Sequence, residues 1–181
     1  MKTLIIIDAQ NEFSPGGKRP VPEHSRIIGV IRNSVEQARE KGGHIAWVRH
    51  FNRPTESPAF VPGTWGAEFV PDLVPAPGAD KEREFQKEVY GAFTGTDLGA
   101  WLKTIGGSQV EIMGFYTHGC VSTTAREAIM AGFTVYIQRE GTGACAMSHE
   151  LLGAQTAEEV RRTALLQLAN MGAIVFGVHQ I

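Results

Sequence analysis

Short apolar runs rich in β-branched residues recur along this chain, and longer segments with helical periodicity separate them. The runs are TLIIID, HIAWVRH, QVEIMGF, FTVYIQ and AIVFGV, and four of them are nearly continuously apolar. A continuous apolar run is typical of a strand covered on both faces, as in a parallel sheet. The candidate helices are SRIIGVIRNSVEQAREKGG, TDLGAWLKTIGG, CVSTTAREAIMAGF and AEEVRRTALLQLANMGA, each with Gly near its end. This alternation predicts an α/β fold with a mostly parallel sheet.

Length and composition narrow the class of protein. The chain has 181 residues, which predicts one domain over residues 1–181. The chain has 17 Lys and Arg against 19 Asp and Glu, a net charge of -2. It therefore lacks the excess of basic residues that proteins need to bind nucleic acid, and we expect no nucleic-acid partner. The apolar run in MKTLIII ends at Asp8, too early for a signal peptide, and no run reaches a membrane span. We therefore expect a cytoplasmic protein with no membrane partner.

Residues 51–78 interrupt the alternation of strands and helices. This segment carries six prolines together with Phe60, Trp65 and Phe69. A loop of that length in a small domain is commonly a lid or a binding loop. The alternative is a solvated excursion that its aromatic side chains pin to the core, and the sequence leaves both open.

Two residues at the ends of apolar runs are candidates for chemistry, because ligands in open α/β sheets bind beyond the carboxyl ends of the strands. Asp8 follows three isoleucines, although a turn aspartate would look the same. Cys120 lies at a predicted strand-to-helix turn, where the helix N-terminus should lower the thiol pKa and favour a nucleophilic thiolate. The alternative is an inert buried cysteine. Cys145 lies in a loop of small residues, so we interpret it as structural.

A cysteine nucleophile needs a group that accepts and returns its proton. None of the six histidines stands in a recognisable Cys-His signature, and His118 is expected to be a pocket wall and not the base. Lys87, within KEREFQKEVYGAFTGTDL, could support nearby negative charges. Taken alone, it could equally be an ordinary surface lysine.

Three segments together resemble the isochorismatase-like cysteine hydrolase family. They are TLIIIDAQNEF, KEVYGAFTGTDL and GFYTHGCVSTTAREAIMAGFTVYI, in the family's order and spacing over almost the whole chain. The resemblance implies a Rossmann-like three-layer α/β/α sandwich with about six strands. It also implies a small-molecule substrate, no cofactor, and a homo-oligomer such as a dimer or tetramer.

The resemblance also assigns catalytic roles to residues. Asp8, Lys87 and Cys120 would form the triad, in which Asp8 accepts the thiol proton and Lys87 holds the two charges in place. The Cys120 thiolate would attack a carbonyl carbon and give an acyl-enzyme that water releases. Family members carry a non-proline cis peptide, expected here between Phe115 and Tyr116. The backbone N–H groups of Tyr116 and Cys120 would then form the oxyanion hole.

Two departures from relatives narrow the expected chemistry. Nicotinamidases carry D-x-H and two further histidines as a metal site, whereas His50 and Asn52 stand at that place here. We therefore expect no metal and a substrate other than nicotinamide. Isochorismatases proper cleave a vinyl ether and lack the nucleophilic cysteine, so the presence of Cys120 favours hydrolysis of a C–N bond in a small amide or ureido compound. Hydrolysis of an ester or vinyl ether, or a non-catalytic thiol redox sensor, are the alternatives.

Substrate-binding residues are the least specific part of the prediction. The candidates lie beside the motifs or in the loop of residues 51–78: Phe13, Gln10, Trp65, Tyr90 and His118. Trp65 could equally be a core aromatic. Arg49 could receive a substrate carboxylate or could pair with a neighbouring acid.

Overall fold

Six parallel strands form the central sheet of the computed structural model, which describes residues 2–177. In spatial order they are β3, β2, β1, β4, β5 and β8. Their order reverses between β1 and β4, which is the switch point where doubly wound sheets bind ligands. The strand bounds are β1 Thr3–Ile7, β2 Ile45–His50, β3 Glu82–Lys87, β4 Gln109–Phe115, β5 Thr134–Gly143, β6 Met147–His149, β7 Gly153–Gln155 and β8 Ile174–Phe176.

Helices cover both faces of this sheet. Their bounds are α1 His24–Glu40, α2 Leu98–Thr104, α3 Ser122–Met130 and α4 Ala157–Asn170. Alternate residues of β1 lie in two hydrophobic cores, one on each face of the sheet. Ile5 packs with residues of α2, α3 and α4, whereas Ile6 packs with residues of α1 and of the segment after β2. The predicted three-layer α/β/α architecture with about six strands is confirmed.

The elements that the apolar pattern missed are polar or short. β3 has the sequence EREFQK, in which only Phe85 and Lys87 are buried, so it carries no apolar run. The antiparallel hairpin of β6 and β7 is exposed throughout. The helix predicted from Cys120 onward begins at Ser122 instead. Val178, the last residue of the run AIVFGV, lies outside the described residues.

The proline-rich segment packs onto the sheet and takes the place of a helix between β2 and β3. Phe60, Phe69 and Leu73 are buried in the same core as α1, so the segment is pinned by its apolar side chains. Its backbone also pairs with the chain just after β1, through the Asn11 N–H to Glu68 and the Val70 N–H to Ala9. These contacts place the segment beside the carboxyl end of β1.

None of the helices within residues 2–177 combines the length and apolar character that a membrane span needs.

Candidate active site

Asp8, Lys87 and Cys120 meet at the carboxyl end of the sheet. Lys87 Nζ lies 2.8 Å from Asp8 Oδ2 and 3.1 Å from Cys120 Sγ. Asp8 follows β1, Lys87 ends β3 and Cys120 follows β4, so three strands that end at one edge bring them together. All three residues are buried, at 1%, 2% and 8% exposure.

The backbone at Asp8 is unusual. Asp8 adopts a left-handed conformation with φ of 52°, a region in which Asp and Asn are over-represented among side-chain-bearing residues. Its Oδ2 takes the Lys87 hydrogen bond, whereas its buried Oδ1 has no hydrogen-bond partner among the described residues. A buried oxygen without a partner is costly, so it stands out as a place for an incoming proton or ligand.

β1 and β4 approach each other closely beside Asp8. Gly114 has φ of 124°, and a Cβ at this position would lie 1.9 Å from the carbonyl oxygen of Ile7. Only glycine fits such an approach. Gly114 therefore lets the strand that leads to Cys120 lie against the end of the strand that leads to Asp8.

Lys87 is held as an ammonium ion. Burial alone would lower its pKa, but the negative charge of Asp8 and the hydrogen bonds to Asp8 and Cys120 outweigh burial and raise the Lys87 pKa above its ordinary value. The lysine therefore remains a cation at neutral pH and neutralises a negative charge on either partner.

The pKa of the Cys120 thiol differs from the value that the sequence predicts. The helix N-terminus was expected to lower its pKa, but burial raises the Cys120 pKa and the charge of Asp8 raises it further, while Lys87 only partly opposes them. The prediction of a low pKa is therefore wrong, because desolvation and the charge of Asp8 together outweigh the charge of Lys87 at this buried position. At rest the site contains a neutral thiol beside the Asp8–Lys87 ion pair.

The turn that carries Cys120 spans Thr117–Val121, between β4 and α3. The peptide bond between Phe115 and Tyr116 is cis, which confirms the position that the family resemblance implied. The Tyr116 carbonyl accepts hydrogen bonds from the N–H groups of Gly119 and Val121. These bonds close the turn around the cysteine.

His50 is a neighbour of the triad that sequence reasoning missed. Its Nδ1 lies 3.2 Å from Lys87 Nζ, and its Nε2 lies 2.8 Å from Asn52 Oδ1. Burial lowers the His50 pKa, and the Lys87 charge lowers it further. We considered this histidine only for metal binding, and its place at the end of the predicted strand HIAWVRH was the available signal.

Aromatic rings form an arc beside the triad. Successive ring centroids are 5.0 Å apart from His118 to Tyr116, 4.8 Å to Phe13, 5.2 Å to Phe60 and 5.4 Å to His50. Phe13 and His118 were expected pocket residues, whereas Phe60 was named only as part of the loop. The arc joins the turn that carries Cys120 to the histidine that contacts Lys87, and two of its rings, Phe13 and Phe60, are buried.

The other predicted substrate residues occupy different environments. Gln10 is fully buried, and its side-chain amide forms hydrogen bonds with the backbone of His50 and Ala67. These contacts indicate a structural role. The Tyr90 ring is 67% exposed and passes beside Gly119. Trp65 is 56% exposed.

Arg49 is already engaged at the end of β2. Its guanidinium pairs with Glu84 at 2.6 Å and with Glu68 at 3.1 Å. Of the two interpretations of Arg49, pairing with neighbouring acids is the one confirmed.

Comparisons with known proteins show which family and which solved structures this chain is similar to. The isochorismatase domain model matches residues 2–180. A secreted isochorismatase effector of Verticillium dahliae is 30% identical, over 93% of this chain and 83% of its own length. The nicotinamidase/pyrazinamidase of Mycobacterium tuberculosis is 30% identical, over 76% of this chain and 83% of its own. The pyrazinamidase of Pyrococcus horikoshii, solved in complex with zinc, superimposes with a TM-score of 0.80 at 30% identity, covering 97% and 98% of the two chains.

Proposed function

Because this chain belongs to the isochorismatase family of hydrolases, we propose that it cleaves the C–N bond of a small amide or ureido compound without a metal ion. The observation that carries the proposal is the contact of one lysine, Lys87, with both Asp8 and Cys120. Its nicotinamidase relatives, by their names, act on an amide, which favours the same kind of bond here.

The first step is a proton transfer within the buried site. The Cys120 thiol gives its proton to Asp8, whose Oδ1 has no other partner among the described residues. The transfer moves the negative charge from oxygen to sulfur while Lys87 remains the cation, so the net charge of the triad does not change. A buried site tolerates this exchange far better than the loss of a proton to solvent, which the raised pKa of Cys120 disfavours.

The thiolate then attacks the carbonyl carbon of the substrate. A C–S bond forms and the carbonyl oxygen becomes an oxyanion, which we assign to the backbone N–H groups of Tyr116 and Cys120. The C–N bond breaks as the proton held by Asp8 passes to the leaving nitrogen, which departs as ammonia or an amine. Water, deprotonated by Asp8, attacks the carbonyl carbon of the thioester, or of the thiocarbamate that a ureido compound gives. The C–S bond breaks, the acid product leaves, and the thiolate takes the proton back from Asp8.

The donor set near the triad supports a reaction without metal. Among residues 2–177, no three His, Cys, Asp or Glu side chains gather into a set that could hold a metal ion. Both ring nitrogens of His50 are engaged, one by Lys87 and the other by Asn52. A metal at His50 would have to displace one of these partners.

The surroundings of Cys120 favour a hydrolase over a redox sensor. A sensor cysteine is accessible and has a low pKa. Cys120 is 8% exposed, and burial raises its pKa. The adjacent Asp8 carboxylate can accept and return a proton, which hydrolysis requires and oxidation of a thiol does not.

The test is ammonia release from a panel of small primary amides and ureido acids, with nicotinamide included. The assay is run with chelator and in parallel on Cys120→Ala, with Cys145→Ala as the matched control. We expect release that survives chelation, is retained by Cys145→Ala and disappears in Cys120→Ala. The proposal would be overturned by any of three results: no ammonia release from any compound of the panel, ammonia release that the chelator abolishes, or an active Cys120→Ala enzyme.

Assembly and compartment are part of the same proposal. We propose a homo-oligomer, a dimer or tetramer, and the support is exposed apolar surface such as Leu151 and Leu152 in the turn between β6 and β7, at 85% and 81% exposure. Light scattering on the purified protein tests it, and a monomer would contradict it. The free thiols of Cys120 and Cys145 support a cytoplasmic location, which cell fractionation tests.

A further inference from the structure

The ammonium group of Lys87 has three protons and three close partners. Two partners are Asp8 Oδ2 and Cys120 Sγ, which the proposed reaction uses. The third is Nδ1 of His50, at 3.2 Å. A lysine ammonium donates three hydrogen bonds and accepts none, so His50 can take the third proton only if its Nδ1 carries no hydrogen.

The neighbours of His50 determine which of its nitrogens carries the hydrogen. The Asn52 amide donates from Nδ2 to the carbonyl of Ala59, at 3.2 Å. This leaves Asn52 Oδ1 as an acceptor toward His50 Nε2, at 2.8 Å. The backbone of Val89 is a second acceptor beside the ring, but the acceptor Asn52 Oδ1 lies only 2.8 Å from Nε2. The hydrogen of a neutral His50 ring therefore lies on Nε2, and the lone pair of Nδ1 faces Lys87.

The result is a chain of hydrogen bonds with one direction. It runs from Lys87 to His50, from His50 to Asn52 and from Asn52 to the carbonyl of Ala59. Ala59 belongs to the proline-rich segment and is 1% exposed. The Phe60 ring also packs edge-on against the His50 ring, at 5.4 Å between centroids.

We propose that His50 is a positioning residue of the hydrolase: its neutral Nδ1 accepts the third proton of Lys87 and thereby directs the other two at Asp8 and Cys120. This assignment deepens the proposed function and rests on it. Without the third acceptor, the ammonium could rotate about the Cε–Nζ bond and direct its protons away from the sulfur. The chain then links the placement of the proline-rich segment to the orientation of the catalytic lysine.

Two substitutions of similar size separate this role from simple packing. His50→Asn can place its Oδ1 near the position of Nδ1 and keep an acceptor toward Lys87, whereas His50→Leu fills the space without one. We expect His50→Leu to lower kcat by about a hundredfold with little change in KM, as displaced catalytic groups do, and His50→Asn to retain most of the rate. His44→Leu, just before the other end of β2, is the matched control and should be unaffected.

The tautomer gives a readout that does not depend on turnover. Nitrogen-15 NMR of the wild-type protein at pH 7 should show His50 as a neutral ring protonated on Nε2, with the signal assigned by its loss in His50→Asn. A ring protonated on Nδ1, an imidazolium, or equal rates for the Leu and Asn variants would overturn the proposal. A wild-type enzyme silent on the amide panel would instead count against the proposed function, while the tautomer would still decide the role of His50.

Discussion

Lys87 and Asp8 form an ion pair of 2.8 Å inside the protein, although 79 residues separate them in the chain. Their side chains are 0% and 1% exposed. Two opposite charges taken out of water are tolerated only as a pair, because each neutralises the other. The pair therefore couples the end of β1 to the end of β3 in stability as well as in chemistry.

Removing one partner of this pair should strongly destabilise the protein. We expect Lys87→Met to lower the free energy of unfolding by about 3–5 kcal/mol, because it leaves the carboxylate of Asp8 buried and unpaired. Asp8→Asn is the matched change on the other side, since Asn also tolerates the left-handed backbone at this position. Urea denaturation followed by circular dichroism gives both values.

The double variant tests the coupling directly. Asp8→Asn combined with Lys87→Met removes both charges, so its loss of stability should be clearly smaller than the sum of the two single losses. Additive losses would mean that the two charges do not stabilise each other in the folded protein.

Gln10 should stabilise the junction between the proline-rich segment and the sheet. Its amide donates to the carbonyls of His50 and Ala67 and accepts from the His50 N–H. Gln10→Leu leaves these backbone groups without partners, at about 1–3 kcal/mol for each buried one. We expect a lower melting temperature and faster amide exchange around Ala67, whereas Gln37→Leu on the exposed side of α1 should change little. Unchanged exchange around Ala67 would argue against this clamp.

Gly114 should tolerate no side chain. A Cβ there would lie 1.9 Å from the Ile7 carbonyl oxygen, so Gly114→Ala must push β4 away from β1. We expect a loss of stability and of amide hydrolysis together, because the displaced strands carry Asp8 and Cys120. Gly29→Ala, in the interior of α1 with open space around it, should instead stabilise by up to about 1 kcal/mol. Thermal melts compare the two, and equal behaviour would contradict the close approach.

Protonation of His24 should account for part of the loss of folding stability in acid. Burial lowers the pKa of His24, whose ring stacks on Phe115 at 5.5 Å between centroids. Below the ordinary histidine pKa of about 6.5, the unfolded chain binds this proton more readily than the folded protein does. The stability that the neutral His24 ring contributes is therefore fully present above about pH 6.5. It is lost as the pH falls through the pKa of His24 in the folded protein. Melts between pH 7.5 and 5 should show a shallower decline in His24→Gln, and parallel curves would refute the assignment.

Much of the fold followed from local pattern. Apolar runs rich in β-branched residues predicted β1, β2, β4, β5 and β8. Four of the five runs are nearly continuous, as strands covered on both faces require. The same reasoning missed β3, since EREFQK is mostly polar and buries only Phe85 and Lys87. β3 and β8 are the two edge strands of the sheet, but only β8 has an apolar sequence, IVF. Composition and not position in the sheet therefore decided which edge strand the pattern revealed.

For the site, the sequence by itself determined that Asp8 and Cys120 stand where strands end, and the family resemblance added Lys87. Only the tertiary structure decided that these side chains touch, that burial raises the Cys120 pKa, that Gln10 bonds backbone and that His50 faces Lys87. The reason is physical. The end of a strand can be predicted from the local pattern of apolar residues. Hydrogen-bond partners and desolvation instead depend on which distant segments the sheet register brings within about 3 Å of one another.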